Sequence, residues 1–440
     1  MSRKPKVYFV ACAFPPFGRG NAITNACVAN GLSEFFRVQV ICKELSGGLL
    51  LNYQEDASLL DDLPSDLTVS RVAGGRWLGI DEILYGIGLL PCYYLSWAWK
   101  VWRQRRRLVR EPGVIMAVYP VFSDLLVGYL LSWAYGYPLL VDFRDDFSGV
   151  MSRGWRKILS GWYRRMEAGL VRQADGITVT TETLKADMIR RHGLAAEKVS
   201  VVYNIVPEAP KIAAAALAPP DGSAGEAVAP QPLVVTYAGA ISRIQRPEIL
   251  LRAYDRLGAS KPGLADRLRV ELYGPESPYY RRHVRPHLRE GATFGGFLPK
   301  RQIDAVQATA DIGFLSLGDA TYAYATPTKL FDYVALELPI VAALPDGAAR
   351  DIIVERGLGL VVDIGDVDGL ARCLERMMQD ADLRCRCRQN LHAAGDEFAP
   401  ERQIAEWRHQ LDRLVSGGAV RVLGQGLSEE GPEIAMVDSR

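Results

Sequence analysis

The chain has 440 residues, more than one hydrophobic core usually supports, so two domains are expected. Its formal net charge is +1 with 23 % charged residues, an ordinary balance that indicates no particular class of partner. The seven cysteines form no CxxC pair, which argues against a disulfide framework or a cysteine metal site and fits a reducing cytoplasm.

The N-terminal segment predicts a parallel β-α-β unit. Lys6–Ala13 is a continuous β-forming run, and its apolar stretch breaks at Pro15-Pro16, which indicates a first strand rather than a signal peptide. The loop Phe14–Asn21 leads into a predicted helix over 22–36, and Val38–Cys42 is predicted as the next strand. Strand, loop, helix and strand in this order imply a parallel sheet.

The loop after the first strand contains two glycines, Gly18 and Gly20. A glycine has no side chain, so a ligand can approach the backbone closely there. The spacing is not that of a dinucleotide-binding fingerprint, and a plain turn between strand and helix remains the alternative reading. No stretch of the chain offers about 18 uninterrupted apolar residues, so no membrane span is predicted.

The region 76–110 combines aromatic and basic residues. Trp97, Trp99 and Trp102 are followed directly by the arginine cluster 103–107, and the segment 155–165 repeats the combination. Such a pattern is typical of a helix lying at an anionic membrane surface. An amphipathic core helix with a solvated basic end is the alternative, and the absence of an RNA-binding motif disfavours nucleic acid.

Three further strands are predicted at Val114–Val118, Leu139–Asp142 and Gly176–Thr180. Arg144 and Asp145 follow the middle one, at the carboxyl edge of the sheet where open α/β folds bind ligands. An Arg–Asp pair that merely closes the sheet edge would give the same pattern.

Residues 208–232 are rich in Ala, Pro and Gly, a composition typical of a linker. A new strand, Leu233–Tyr237, begins the second half, and Arg243 and Arg246 follow it. Guanidinium groups are good bidentate partners for phosphate, so these arginines are candidate diphosphate ligands.

The segment 324–344 predicts a helix start beside charged residues. Pro327 suits the first turn of a helix, and Lys329 and Asp332 lie on the same side of that helix. Helix-start N–H groups with a cation and a carboxylate could bind a phosphate and a ribose hydroxyl. A capped helix with a surface Lys–Asp pair is the alternative.

The run P-x-K-L-F-D-Y-x-A followed by L-P-I-V-A resembles the nucleotide-sugar motif of GT-B glycosyltransferases of family 4, or group 1. The D-x-R-D strand end and the Gly-Gly-Phe-Leu segment at 295–298 resemble further family segments in the right order. The resemblance implies an α/β fold with two Rossmann-like domains, each with a parallel sheet, facing across a cleft. The expected divisions are an acceptor domain (1–207), a linker (208–232), a nucleotide-sugar domain (233–400), a returning helix (401–415) and a disordered tail (416–440).

The resemblance also implies the site. Arg243 and Lys329 are expected to stabilise the departing diphosphate, and Arg144 and Asp145 are candidates on the acceptor side. Family members carry a Glu-x7-Glu pattern, in which Asp332 takes the second position and Tyr324 the first, so the sugar contact differs here. The expected donor-binding residues are Gly18, Gly20, Arg243, Arg246, Phe297, Leu298, Thr328, Lys329, Leu330 and Asp332.

The expected function is sugar transfer from a nucleotide-sugar, with retention, to a lipid-linked glycan in envelope or exopolysaccharide assembly. No metal or other cofactor is expected, because no metal-ligand cluster is visible in the sequence. The expected location is the cytoplasmic face of the membrane, as a peripheral protein. Alternatives are a natural-product glycosyltransferase with a soluble acceptor, a nucleotide-sugar epimerase, and a non-catalytic GT-B binding subunit.

Overall fold

The computed structural model describes residues 4–18, 20–45, 55–74, 78–87, 89–92, 94–152, 154–206 and 231–417. They form two α/β domains, each built on one parallel sheet, as the sequence predicts. The predicted linker (208–232) and tail (416–440) lie almost entirely outside the described residues.

The N-terminal domain has a seven-stranded sheet in the order β3-β2-β1-β4-β5-β6-β7. Its central strands are buried on both faces; Val7, Tyr8 and Phe9 of β1, for example, are fully inaccessible, which explains the continuous apolar runs. The strands are β1 (Lys6–Val10), β2 (Arg37–Lys43), β3 (Thr68–Val72), β4 (Val114–Tyr119), β5 (Leu139–Phe143), β6 (Gly176–Val179) and β7 (Val199–Val201). The helices are α1 (Gly20–Ser33), α2 (Leu78–Gly86), α3 (Leu95–Leu108), α4 (Phe122–Tyr135), α5 (Phe147–Met151), α6 (Ser160–Gln173) and α7 (Glu182–His192).

The C-terminal domain has a six-stranded sheet in the order β10-β9-β8-β11-β12-β13. Its strands are β8 (Leu233–Ala238), β9 (Leu268–Tyr273), β10 (Ala292–Phe294), β11 (Ile312–Ser316), β12 (Ile340–Ala343) and β13 (Gly359–Val362). Its helices are α8 (Glu248–Ser260), α9 (Pro262–Ala265), α10 (Lys300–Gln307), α11 (Thr328–Ala335), α12 (Ala348–Glu355), α13 (Val367–Gln379) and α14 (Ala381–Phe398). A last helix, α15 (Pro400–Ser416), continues the chain.

The order of the strands in each sheet indicates where a ligand crevice lies. In each sheet the connections reverse direction beside the first strand, between β1 and β4 and between β8 and β11. Ligands of open α/β sheets bind at the carboxyl ends of the strands at such a switch point.

Helix α15 packs back onto the N-terminal domain. Ile404 and Trp407 belong to the hydrophobic cluster beneath β1 and α1. A Cβ atom on Gly31 of α1 would lie 2.6 Å from Ile404 Cγ1, so the two helices cross at a position that needs glycine. The expected returning helix, 401–415, lies within α15.

The aromatic region 76–110 differs from the expected interfacial helix. It contains two helices, α2 and α3, and Trp97 of α3 is fully buried in the N-terminal core. Trp97 therefore does not face a membrane, whereas Trp99 is 57 % exposed. The expectation that Trp97 belongs to a membrane-binding segment with Trp99 and Trp102 was wrong, because α3 packs against α4 and Trp97 lies in the core between them. Trp77 and Tyr93 of this region lie outside the described residues.

Candidate functional site

The N-terminus of α11 forms one wall of the crevice. Pro327 precedes the helix in an extended conformation (φ −57°, ψ 141°), and no side chain caps the first turn. The leading N–H groups of α11 have no partner within the helix and point in the direction that favours an anion.

Lys329 extends from this first turn over the end of β8. Its Nζ atom lies 4.8 Å from the ring centroid of Tyr237. The negative charge of Asp332 favours the protonated form of the Lys329 amine. Burial disfavours the charged amine and lowers the pKa of Lys329 to about 8, with Asp332 opposing that shift. A phosphate beside Lys329 would supply the missing counter-charge.

Gly239, directly after β8, makes room for Lys329. Its φ angle is 139°, and a Cβ atom there would lie 2.6 Å from Lys329 Nζ and 2.7 Å from Lys329 Cε. Gly239 was not among the site residues expected from the sequence, in which the only signal for it is a glycine directly after the first strand of the domain.

The two arginines after β8 differ in their surroundings. Arg243 is exposed and has no ion pair within the part of the chain that the structure describes. Arg246 has a φ angle of 45°, and its Nε atom donates to Glu248 Oε1 at 3.2 Å. A Cβ atom on Gly318 would lie 2.2 Å from Arg246 Cδ, so the Arg246 side chain covers that glycine. Arg243 is the more available cation of the two.

Asp332 is paired with a lysine that the sequence analysis did not single out. Lys300, the first residue of α10, donates from Nζ to Asp332 Oδ1 at 2.9 Å and to Asp304 Oδ1 at 2.5 Å. Its pKa is raised, because the two carboxylates outweigh the effect of burial. Lys300 follows the Gly-Gly-Phe-Leu-Pro segment, whose resemblance to the family's nucleobase loop was the only available signal.

The remaining residues expected to bind the nucleotide-sugar donor differ in their burial. Phe297 and Leu298 are half-buried in the loop between β10 and α10, close to Lys300 in sequence. Leu330 is fully buried in the core under α11, and its N–H donates to the Pro327 carbonyl. The expectation that Leu330 contacts the donor is therefore wrong for its side chain, which packs against the sheet instead.

The N-terminal domain supplies the facing wall. A Cβ atom on Gly20, the first residue of α1, would lie 3.5 Å from Thr328 Oγ1, the first residue of α11. The first turns of two helices thus meet across the crevice at positions with small side chains. Gly18 is half-buried in the loop that leads into α1.

Arg144 and Asp145 follow β5 on the same wall. Arg144 is 7 % exposed, and its Nε atom donates to Asp142 Oδ2 at 2.8 Å, while Nη1 and Nη2 find no hydrogen-bond partner among the residues that the structure describes. Asp145 accepts a hydrogen bond at 3.1 Å from Tyr324 Oη of the C-terminal domain. Thr181 Oγ1 donates to the Tyr324 carbonyl at 2.9 Å, so two residues of the N-terminal domain hold the loop before α11.

Neither a metal centre nor a membrane helix is found among the residues described. No group of three or more His, Cys, Asp or Glu side chains in the ranges given above is arranged to hold a metal ion. No helix within those ranges has the length and apolar character needed to cross a bilayer.

Solved structures share the fold over nearly the whole chain. HepE from Anabaena, solved with UDP and glucose, aligns with a TM-score of 0.62 and 18 % identity over 92 % of this chain and 100 % of that one. Sucrose-phosphate synthase from Thermosynechococcus elongatus aligns with a TM-score of 0.66 and 15 % identity over 94 % and 100 %. WaaG, a glycosyltransferase involved in lipopolysaccharide biosynthesis, aligns with a TM-score of 0.59 and 13 % identity over 92 % and 99 %.

Sequence comparison identifies the family. D-inositol 3-phosphate glycosyltransferase from Salinispora arenicola is 29 % identical over 283 residues, 61 % of this chain and 58 % of that one. The enzyme of the same name from Salinispora tropica is 27 % identical over 54 % and 51 %. The chain thus spans little more than half the length of these curated relatives. Residues 28–209 match the model of Glycosyltransferase Family 4, and residues 232–380 match that of Glycosyl transferases group 1. With both halves matched and two Rossmann-like domains facing across a crevice, the chain belongs to the family 4, group 1 glycosyltransferases of GT-B fold.

Proposed function

We propose that this chain transfers a sugar from a nucleotide-sugar to an acceptor bound between its two domains. The observation that supports this best is Lys329, a half-buried amine over Tyr237 at the uncapped N-terminus of α11. The charge of this amine is only partly balanced by Asp332, and the first N–H groups of the helix lie beside it. Together they suit the binding of a diphosphate.

The reaction rests on stabilising the leaving diphosphate. Lys329, the first N–H groups of α11 and the exposed Arg243 would neutralise the charge that develops as the bond to the sugar breaks. This arrangement needs no metal ion. The resemblance to family 4 further implies that the configuration at the transferred carbon is retained.

The nucleoside would lie along α10 and α11. Asp332 would accept hydrogen bonds from the ribose, and the loop with Phe297 and Leu298 would face the base. Lys300 would hold the Asp332 carboxylate in place through its 2.9 Å hydrogen bond. Because HepE was solved with UDP, uracil is the first base to test.

The proposal is tested with a panel of nucleotide-sugars scored by thermal shift and then by release of nucleotide in the presence of acceptors. A ligand that binds only the folded state raises the melting temperature, by an amount that grows with its concentration. We expect at least one UDP-sugar to stabilise the wild type and to stabilise Lys329→Ala less at the same concentration. A panel without any stabilising member would contradict the function.

For the acceptor we propose a lipid-linked glycan reached from the cytoplasmic face of a membrane. The supporting observation is a set of exposed apolar side chains on two segments, called here the isoleucine patch: Ile80, Ile83, Ile87, Ile158 and Trp162. The two segments lie side by side where Arg156 stacks on Tyr85 of α2, 4.7 Å from the ring centroid.

Basic residues lie beside the isoleucine patch. Lys157, Arg164 and Arg165 are exposed on the same segment as Ile158 and Trp162. Apolar side chains that insert between headgroups, with cations that meet lipid phosphates, are the two components of interfacial binding. This patch replaces the surface around Trp97 as the proposed membrane contact.

A soluble acceptor is the second candidate. It is favoured by the curated relatives, whose name contains a soluble cyclitol phosphate, D-inositol 3-phosphate. Activity with a soluble cyclitol phosphate and none with lipid-linked glycans would select this alternative, and would leave the donor half of the proposal unchanged.

A further inference from the structure

The segment before α11 carries a tyrosine where the family pattern has its first acid. Tyr324 is 8 % exposed and packs into the hydrophobic cluster of the N-terminal domain, although it belongs to the C-terminal half of the chain. A phenol cannot supply a carboxylate to the sugar, so the sugar contact must come from elsewhere in this crevice.

Tyr324 makes a hydrogen bond to a carboxylate of the opposite domain. Its Oη atom donates to Asp145 Oδ1 at 3.1 Å, and Thr181 holds the Tyr324 backbone carbonyl at 2.9 Å. Asp145 is half-buried, and the contact brings it to the loop that ends at Thr328, the first residue of α11. A carboxylate therefore lies beside position 324 after all, supplied by the N-terminal domain.

The neighbouring residue provides the complementary donors. Arg144 donates from Nε to Asp142, and both of its Nη atoms are buried with no hydrogen-bond partner in the described part of the chain. Thr178 donates to the other oxygen of Asp142 at 2.7 Å, which fixes the carboxylate that orients the guanidinium. Buried N–H groups are rarely left unpaired, so these donors suit a ligand with acceptor oxygens.

Arg144 directly precedes Asp145, and the contact of Asp145 with Tyr324 brings this strand end to the loop that leads into α11. Asp142 already balances the charge of Arg144, so the ligand does not need to be an anion. Hydroxyl groups, which both accept and donate, fit an adjacent guanidinium and carboxylate.

We propose that Asp145, held by Tyr324, takes over the role of the missing acid and, together with Arg144, binds the hydroxyl groups of the transferred sugar. The expectation from sequence had placed Arg144 and Asp145 on the acceptor side. The contact with Tyr324 brings them to the donor sugar instead. This inference rests on the proposed nucleotide-sugar transfer and names the residues that read its sugar.

The test compares the affinities of UDP and of neutral UDP-hexoses (glucose, galactose and N-acetylglucosamine) by calorimetry. In Asp145→Asn the affinity for the best UDP-hexose falls about tenfold or more relative to wild type, the factor of one charge-assisted hydrogen bond. The affinity for UDP changes less than about twofold. Asp145→Glu restores part of the loss, and Asp351→Asn, an exposed carboxylate on α12, behaves as wild type.

A second variant guards against misfolding. Tyr324→Phe keeps the packing but removes the hydrogen bond to Asp145, and it lowers hexose affinity by a smaller factor at unchanged UDP affinity. If both variants weaken UDP and UDP-hexose equally, or weaken neither, the inference is overturned while nucleotide-sugar binding stands. If the wild type binds no UDP-hexose, both the inference and the proposed donor are overturned. If the wild type prefers UDP-glucuronic acid and Asp145→Asn keeps that preference, the assignment of neutral hydroxyl groups to this site is overturned.

Discussion

The Nζ atom of Lys300 lies 2.9 Å from Oδ1 of Asp332, so the acid expected to meet the ribose is held by a cation from a different helix. The backbone N–H of Lys300 in turn donates to Asp56 Oδ2 of the N-terminal domain at 2.9 Å. Lys300 therefore links the expected ribose-binding carboxylate to the contact between the two domains. Closing the crevice and orienting Asp332 are expected to be coupled.

Replacing Asp332 with Asn should weaken ribose-containing ligands selectively. The amide cannot accept as strongly as the carboxylate, so we expect UDP affinity to fall by about 1.5–3 kcal/mol, the range for a charge-assisted hydrogen bond. Calorimetry with UDP and with its 2′,3′-dideoxy analogue measures the effect, and the analogue should bind both proteins alike. Asp304→Asn, which removes the other partner of Lys300, serves as the control. Unchanged UDP affinity would remove Asp332 from the site.

Lys329→Met tests the diphosphate contact. We expect the affinity for UDP to fall by about 1.5–3 kcal/mol, because the variant loses a charged donor to phosphate. The melting temperature of the ligand-free protein should stay equal or rise, because the buried charge opposes folding. Lys261→Met, whose amine pairs with Glu375 on the outer surface, is the matched control. A fall in melting temperature without any change in UDP affinity would show Lys329 to be structural.

The pKa of Lys329 predicts a pH dependence. Between about 8 and the ordinary value of 10.5 the unfolded chain holds the proton that the folded protein has lost, so the stability of the ligand-free protein rises with pH across this window. The affinity for UDP falls as pH increases through about 8, because the neutral amine no longer attracts phosphate. Chemical denaturation and calorimetry from pH 7 to 10 measure both trends. Lys329→Met should flatten them, and equal slopes in both proteins would assign the titration to another group.

Gly239→Ala tests the close approach of Lys329 to the end of β8. The new Cβ atom would lie 2.6 Å from Nζ at a φ angle of 139°, so the lysine must move and the backbone is strained by about 1–3 kcal/mol. We expect UDP affinity to fall along with stability. Gly193→Ala is the control. Gly193 has a φ angle of 63°, and no heavy atom of the described residues lies within 4 Å of the new Cβ, so this variant should lower stability without changing UDP affinity. Equal UDP binding by both variants would contradict this arrangement.

The isoleucine patch predicts binding to anionic vesicles. The double variant Ile83→Ser/Ile158→Ser should co-sediment less with vesicles containing phosphatidylglycerol, because it loses the inserted apolar area. Arg164→Ser/Arg165→Ser should lose about 1 kcal/mol per charge and much of the salt dependence. Val354→Ser, an exposed apolar site on α12 of the other domain, is the control. If wild type stays in the supernatant at low salt, the membrane contact is wrong and a soluble acceptor is favoured.

The arginines of α3 should matter less for vesicle binding than their number suggests. Arg103 stacks on Trp99 at 4.8 Å and Arg105 on Trp102 at 4.1 Å, so part of the cluster is engaged by tryptophans of its own helix. From the sequence, all three tryptophans of this helix were expected to contribute to membrane binding. A helix with tryptophans on more than one face has no periodicity that tells which face the rest of the protein covers, and only the packing of α3 on α4 decided that Trp97 is core.

The sequence by itself determined the features that depend on neighbours along the chain. Continuous apolar runs predicted buried parallel strands, their alternation with helices predicted two Rossmann-like sheets, and Pro327 with Lys329 indicated the start of α11. The edge strand β3 was not predicted, since a strand with exposed and polar residues such as Thr68 lacks a continuous apolar run.

Tertiary structure alone decided the contacts between distant segments. Lys300 and Asp332 are 32 residues apart, and Tyr324 and Asp145 are 179 apart. Propensity and periodicity act over a few residues and carry no information about such partners. The pairs form because the parallel strands bring their carboxyl ends, and the loops that follow them, to the same edge of each sheet, and because two such edges face each other.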